Sequence, residues 1–241
     1  MKRLLTYELL KMLRQGADCL DDEARQRICR YVESQRTPQD SFVNRGGKAD
    51  LYYTLFGWML CYALAIPSDK KARKSYLQTI DTTKLDTLHQ TVLTLCHLCD
   101  RLLSLPSFTP DAVLQLLIDD EPLIRFFETY QRHGSGGGTN AWAARLAMAE
   151  ENDKALVGRL LSMQHESGGF VAHRRTIMPD MLSTAVALFA LHEHSIPPRF
   201  DARPFIETHW NEDGSFAATL LDEHSDVEYV FYGLLAIGCT L

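Results

Sequence analysis

Three aspartates, each placed directly before an apolar segment, are the side chains of this chain best suited to chemistry. They are Asp50, Asp180 and Asp226. Carboxylates gathered around one cavity can bind a divalent metal or act as general acid and base. The same position is also the N-cap of a helix, where a carboxylate accepts hydrogen bonds from the first-turn amides. The sequence leaves the catalytic and the capping interpretations open.

Basic and tyrosine side chains surround the first of these aspartates. Arg45 and Lys48 precede Asp50, and Tyr52 and Tyr53 follow it. Arginine binds a phosphate or carboxylate through its planar fork, and lysine binds either group as a point charge. The segment therefore predicts a site for the anionic head group of a substrate, and its alternative interpretation is a solvated basic loop.

The other two aspartates have comparable neighbours. Arg174 lies in the loop before Asp180, so a second basic side chain would face the same rim. Glu228 and Tyr229 follow Asp226 and, with the tyrosines of the first segment, would line a cavity with aromatic groups able to stabilise a carbocation. Aromatic residues at helical spacing are also typical of an ordinary core, and this alternative stays open.

An internal repeat sets the positions of these residues. In each copy a turn ends in phenylalanine and leads to an aspartate that opens an apolar segment: Phe42 to Asp50, Phe170 to Asp180, and Phe216 to Asp226. With further starts near Leu88 and at Asn140, the spacing indicates five helical hairpins of about 40–46 residues. Neighbouring hairpins bury each other's apolar faces in a linear solenoid or in a closed ring, and the period fits both.

Helical periodicity dominates the chain, which is predicted to be all-α. Helices are predicted over residues 4–14, 22–35, 50–65, 85–104, 110–118, 122–131, 140–150, 152–164, 180–194, 202–209 and 226–239. The first two are expected to pair. Residues 69–81 are basic and polar with no helix assigned, and the glycine run at 134–138 is predicted to be a flexible loop.

The turn and the helix that follows it carry a family resemblance. The Gly-Gly-Phe or Gly-Ser-Phe turn, the aspartate and the aromatic-rich helix resemble the repeats of protein prenyltransferase β subunits and of squalene-hopene-type terpene cyclases. The resemblance implies an α/α toroid of about five helical hairpins around a central cavity, as a single domain over residues 1–241. It also implies an apolar, isoprenoid-like small-molecule substrate and, for the prenyltransferase branch, a helical partner subunit.

The first repeat also resembles the diphosphate- and zinc-binding segment of prenyltransferase β subunits. The corresponding residues are Arg45, Lys48 and Tyr53 for the diphosphate, and Asp50 for the zinc. Tyr52 replaces the zinc-binding cysteine of that family, and Asp226 stands where the family has its zinc-binding histidine. Because zinc prefers thiolate and imidazole ligands, no metal ligand is assigned; the zinc site of the family is not kept, and a divalent metal remains open.

The terpene cyclase branch is matched less well at its catalytic motif. Its acid is the middle aspartate of a D-x-D-D sequence, and the nearest match here ends in Asp119-Asp120 and lacks the first aspartate. The resemblance to cyclases therefore supports the fold more than the reaction.

Composition and charge exclude other classes of protein. The 241 residues carry a formal net charge of -6, which argues against nucleic acid as the main partner. No apolar run is long enough to span a bilayer. The six cysteines lie mostly in apolar helical contexts, so a reduced, cytoplasmic protein is predicted, with Cys96 and Cys99 packed in a helix.

Two functions are compatible with these patterns. The first is a prenyltransferase-like or terpene cyclase-like protein that binds, and in the enzymatic case transforms, an elongated apolar substrate with an anionic head group. The second is a non-catalytic α/α toroid that acts as a binding or protein-interaction module, in which the aspartates only cap helices.

Overall fold

The computed structural model describes residues 4–117, 120–133 and 137–241. The helices of this part of the chain are α1 (Leu5–Asp18), α2 (Asp22–Ser34), α3 (Leu51–Leu64), α4 (Lys70–Gln78), α5 (Thr87–Leu102), α6 (Pro110–Leu116), α7 (Glu121–His133), α8 (Thr139–Met148), α9 (Lys154–Leu161), α10 (Met181–Glu193), α11 (Arg203–Thr208) and α12 (Val227–Gly238). A short pair of antiparallel strands, β1 (Phe42–Val43) and β2 (Ala49–Asp50), precedes α3. The all-α prediction is confirmed.

Six helices form a closed ring. In order around the ring, α3, α5, α7, α8, α10 and α12 each pack against the next, and α12 packs against α3. The helices α2, α4, α9 and α11 pack against ring helices but do not line the interior. The closed ring is therefore chosen over the linear solenoid, and the prediction of an α/α toroid is confirmed.

The ring differs in two ways from the predicted arrangement, in which each of five hairpins would contribute one inner helix. Helix α7 occupies a ring position between α5 and α8, because Leu123 and Phe126 on it face the interior. Helix α1, which was expected to pair with α2, packs instead against α12 and α3 and contributes Leu9 to the interior. Both helices thus place apolar side chains in the interior of the ring.

Three equivalent turns carry the repeat. Isolated β-bridges join Arg36 to Phe42, Gln164 to Phe170, and Trp210 to Phe216. The backbone is left-handed at Asp40, Gly168 and Gly214, with φ of 60°, 94° and 92°. Glycine adopts this conformation at little cost, and aspartate is one of the few other residues that tolerate it. In the first repeat the turn therefore gains a carboxylate, that of Asp40.

One connecting segment contains a helix that the sequence did not predict. Residues 69–81 include α4, whose N-cap Asp69 accepts hydrogen bonds from the amides of Lys71 and Ala72. Its apolar stripe is too short to produce a clear pattern. The predictions that concern Asp119 and residues 134–136 lie outside the described residues. Within the described part, no helix is both long enough and apolar enough to cross a membrane.

Candidate functional site

The three aspartates cap ring helices at one end of the ring, which is called the rim below. The acceptor is Oδ1 in each case, and the donors are the amides of Tyr52, Ser183 and Tyr229, at 2.8, 2.7 and 3.2 Å from Asp50, Asp180 and Asp226. The amide of Met181 donates to the carbonyl of Ala218, which joins the loops before α10 and α12. The capping interpretation is confirmed, and a catalytic role for the three carboxylates stays a prediction.

Arg45 closes the ring at the rim by linking the first repeat to the last. Its Nε donates to Oδ2 of Asp226 at 2.7 Å, and its Nη2 donates to Oδ2 of Asp222 at 2.9 Å. The guanidinium also lies 5.4 Å from the centre of the Tyr229 ring. The charge of Arg45 is thus balanced by two carboxylates, so it is not available as a strong partner for a diphosphate.

The other two predicted cationic residues lie near the rim but do not converge on Arg45. Lys48 is exposed, and its amide donates to Oδ1 of Asn44. Arg174 is exposed and lies 5.9 Å from the centre of the Trp142 ring, on the side of α8. No compact group of three cations forms at this end of the ring in the described residues.

Tyr52 and Glu228 form a polar pair one helical turn nearer the rim than the aromatic lining of the ring. The Tyr52 hydroxyl donates to Oε1 of Glu228 at 2.8 Å, across the contact between α3 and α12. Phe56, one turn further along α3, contacts the rings of both Tyr52 and Tyr232, and Tyr232 is one turn further along α12 than Glu228. The pair therefore covers the apolar interior at its rim end.

The ring encloses an apolar cavity of about 50 Å³. All six ring helices and α1 supply its lining, through Leu9, Leu55, Phe56, Met59, Leu95, Leu123, Phe126, Asn140, Ala143, Ala144, Ala147, Leu182, Val186, Phe189, Phe231, Tyr232 and Leu235. Asn140 is the polar exception toward the rim, where its Oδ1 accepts a hydrogen bond from Ser183. Bulky side chains occupy most of the central volume that the resemblance assigns to a substrate.

Burial dominates the electrostatics of the rim carboxyl groups. It raises the pKa of Glu228 to about 7, with Asp226 adding to the increase and Tyr52 and Arg45 opposing it. Burial also raises the pKa of Asp180 above its ordinary value. The hydroxyl of Tyr53 has a pKa of about 12, raised first by burial and then by the nearby carboxylates. Burial at the rim thus favours the protonated forms of Glu228, Asp180 and Tyr53.

Glu228 should make stability depend on pH. Between pH of about 4.5 and about 7 the unfolded chain ionises this group while the folded chain keeps it neutral, so the free energy of unfolding falls as pH rises, by up to about 3 kcal/mol. Urea unfolding across this pH range should show a flatter profile for Glu228→Gln. Glu207→Gln, at an exposed position, is the matched control and should keep the wild-type slope. Equal slopes in all three proteins would contradict the assignment.

The residues at the rim do not fit a zinc ion of the family type. Tyr52 is hydrogen-bonded to Glu228, Asp226 is paired with Arg45, and the oxygen of Asp50 is used by two helix amides. Among the described residues, no group of three or more His, Cys, Asp or Glu side chains could hold a metal ion. No step through a metal is therefore derived for this chain.

Three residues that the structure places at the site were not predicted from the sequence to belong to it. Asp222 binds Arg45, Asn140 borders the cavity, and Ser183 donates to Asn140. Only Asp222 had a usable signal, since it lies in an acidic loop directly before α12, four positions from Asp226. The other two depend on the direction of their side chains, which the pattern of the chain does not specify.

Comparison with known families agrees with this geometry. The family model described as "Prenyltransferase alpha-alpha toroid domain" matches residues 2–100 and 137–240. The matched segments include the rim residues of the first and last repeats, whereas α7 lies in the interval between them. No curated protein gave a significant match to the chain.

Proposed function

This chain belongs to the prenyltransferase alpha-alpha toroid domain family, and on that premise we propose that it binds an elongated apolar molecule, such as an isoprenoid or a polyene, inside its ring. The observation that carries the proposal is the lining of the cavity, which every ring helix supplies and which is apolar except for Asn140 and the hydroxyl of Tyr232. An enclosure lined mainly by apolar side chains offers few partners to ordered water, and apolar guests bind in such sites.

The size of the cavity limits how the ligand enters. A volume of about 50 Å³ admits only a small apolar group, so a longer chain requires lining side chains to turn. Leu123 and Phe126 are the best candidates, because they lie on α7, the ring helix outside the matched segments. The adjacent wall needs no movement, since α8, the next helix around the ring, presents three alanines to the cavity, at positions 143, 144 and 147.

Binding is tested with the hydrocarbon farnesene, which carries no head group. Methyl NMR signals of Leu9, Leu55 and Leu95 should shift on titration, and the midpoint of thermal unfolding should rise, because a ligand at 100 times its Kd stabilises the folded state by about 2.7 kcal/mol. Ala144→Leu should weaken binding at least about tenfold by filling the cavity. Ala155→Leu, at an exposed position on α9, is the matched control and should bind as the wild type does.

A second function, a non-catalytic interaction module, is compatible with two observations: the centre of the ring is largely filled, and the three aspartates serve as caps. The farnesene titration separates the two proposals. A folded protein whose methyl signals and unfolding midpoint do not change at saturating farnesene would support the interaction module. The helical partner subunit that the resemblance implies stays a prediction under both proposals.

A further inference from the structure

We infer that the ligand binds through a neutral, hydrogen-bonding end group, such as a hydroxyl or carbonyl, which contacts Glu228 and Tyr52 at the rim end of the cavity. The inference rests on the proposed binding of an apolar molecule inside the ring. It replaces the anionic head group that the sequence predicts with a different chemical class of ligand.

The first argument is the position of the Glu228–Tyr52 pair. Glu228 is only 8% exposed and stands one turn nearer the rim than Tyr232, which lines the cavity. On the facing helix α3, Tyr52 likewise lies one turn nearer the rim than Phe56, which lines the cavity. Side chains four residues apart share a helix face, so both polar groups lie where the end of a ligand chain would leave the apolar lining.

The second argument is the protonation of Glu228. A buried carboxyl without a dedicated cation favours its neutral form, and the nearest guanidinium, that of Arg45, is already bound by Asp222 and Asp226. The other groups that interact with Glu228 are acids or phenols: Tyr52 and Tyr53 on α3, Tyr229 on α12, and the cap residue Asp226. A neutral acid can donate a hydrogen bond to a hydroxyl or carbonyl oxygen and accept one from a hydroxyl.

The third argument is the sign of the charge on the rim. Five carboxyl groups lie on it, those of Asp50, Asp180, Asp222, Asp226 and Glu228. Asp222 and Asp226 share a single cation, that of Arg45, so a diphosphate placed there would meet an excess of like charge, while Lys48 and Arg174 are exposed to solvent. Such a contact is unfavourable in a partly buried position, and a neutral end group avoids it.

Three probes with the same hydrocarbon tail test the inference: farnesene, farnesol and farnesyl diphosphate. In titration calorimetry at about pH 6, farnesol should bind about tenfold more tightly than farnesene, because it adds hydrogen bonds in a buried setting, and more tightly than the diphosphate. Glu228→Leu and Tyr52→Phe should both reduce the preference for farnesol over farnesene. Glu228→Gln should retain much of it, since the amide still donates and accepts, and Glu207→Gln should retain all of it.

The outcomes separate this inference from the proposed function. Equal affinity for farnesol and farnesene, or tightest binding of the diphosphate, would overturn the neutral end group and leave binding inside the ring intact. A preference for farnesol that survives in Glu228→Leu and Tyr52→Phe would also overturn it. Absence of farnesene and farnesol binding to the folded wild type would overturn both.

Discussion

Replacing Arg73 by methionine is expected to lower the free energy of unfolding by about 3–5 kcal/mol. Arg73 is fully buried, and its Nε donates to Oδ1 of Asp100 at 2.9 Å, while its Nη1 donates to Ser68 Oγ at 2.7 Å. Methionine has a similar shape but leaves the Asp100 carboxylate buried without its cation. Urea unfolding measures the change, and the dependence on urea concentration should keep its slope.

The large effect follows from the number of elements that Arg73 joins. Ser104 at the end of α5 accepts from Nη2 at 3.1 Å, and Asp40 in the first repeat turn is 4.0 Å from Nη1. Asp40 itself accepts from the amide of Asp69 at 2.8 Å, which holds the start of α4. The arginine thus links the outer helix α4, the ring helix α5 and the turn that precedes α3, so its replacement should destabilise all three.

A double variant distinguishes a broken ion pair from lost packing. Arg73→Met with Asp100→Leu removes both charges, and it should recover a large part of the stability that the single variant loses, because no carboxylate is left unpaired. Arg125→Met is the matched control, since Arg125 pairs with Glu121 on the exposed face of α7 and surface pairs contribute little. Equal losses in the single and double variants would show that packing alone is responsible.

Alanine at Gly16 or Gly238 is expected to destabilise the protein by about 3 kcal/mol. These glycines let α1 and α12 touch through their backbones. A Cβ on Gly16 would lie 2.0 Å from the carbonyl oxygen of Leu234, and a Cβ on Gly238 would lie 1.9 Å from that of Met12. Since neither backbone atom can turn away, the two helices must separate, and the apolar contact between them is lost.

A third glycine provides a control variant whose effect on stability should have the opposite sign. Gly158 lies within α9, and a Cβ there would have no atom within 4 Å. Alanine at this position should stabilise the protein by up to about 1 kcal/mol, since it favours the helix without any clash. Urea unfolding of the three variants measures both signs. Unchanged stability in Gly16→Ala would contradict the close packing of α1 on α12, and destabilisation by Gly158→Ala would contradict the open space beside Gly158.

The extent to which the sequence predicted this fold is clearest in the repeat. The turn that ends in Phe170 and the aspartate cap at Asp180 are local features, because the bonds that form them join residues of one repeat that are no more than 14 positions apart. The hydroxyl of Thr184, for example, donates to the carbonyl of Asp180 at 2.7 Å and accepts from the amide of Phe170 at 2.9 Å. Such a unit can be read from its residues, and its recurrence indicates hairpins that pack side by side.

The candidate site was only partly predictable. Residues near the rim were found, because they adjoin the repeated aspartates. Their interactions were not: Arg45 was expected to bind a ligand, but it binds Asp226, which is 181 residues away in the chain. The filled interior was also missed, since the alanines of α8 and the phenylalanine at 126 give no sequence signal for the space between them.

The sequence alone therefore determined most of the helices, the caps of the repeated ones and their repetition, since each depends on bonds within a repeat or on the periodic burial of one face. Only the tertiary structure decided what the ring encloses and which charges meet on its rim. Closure brings α12 against α3 and pairs Tyr52 with Glu228 and Arg45 with Asp226. Those pairs set the polarity of the rim through burial and distance, and neither quantity exists until the last repeat packs against the first.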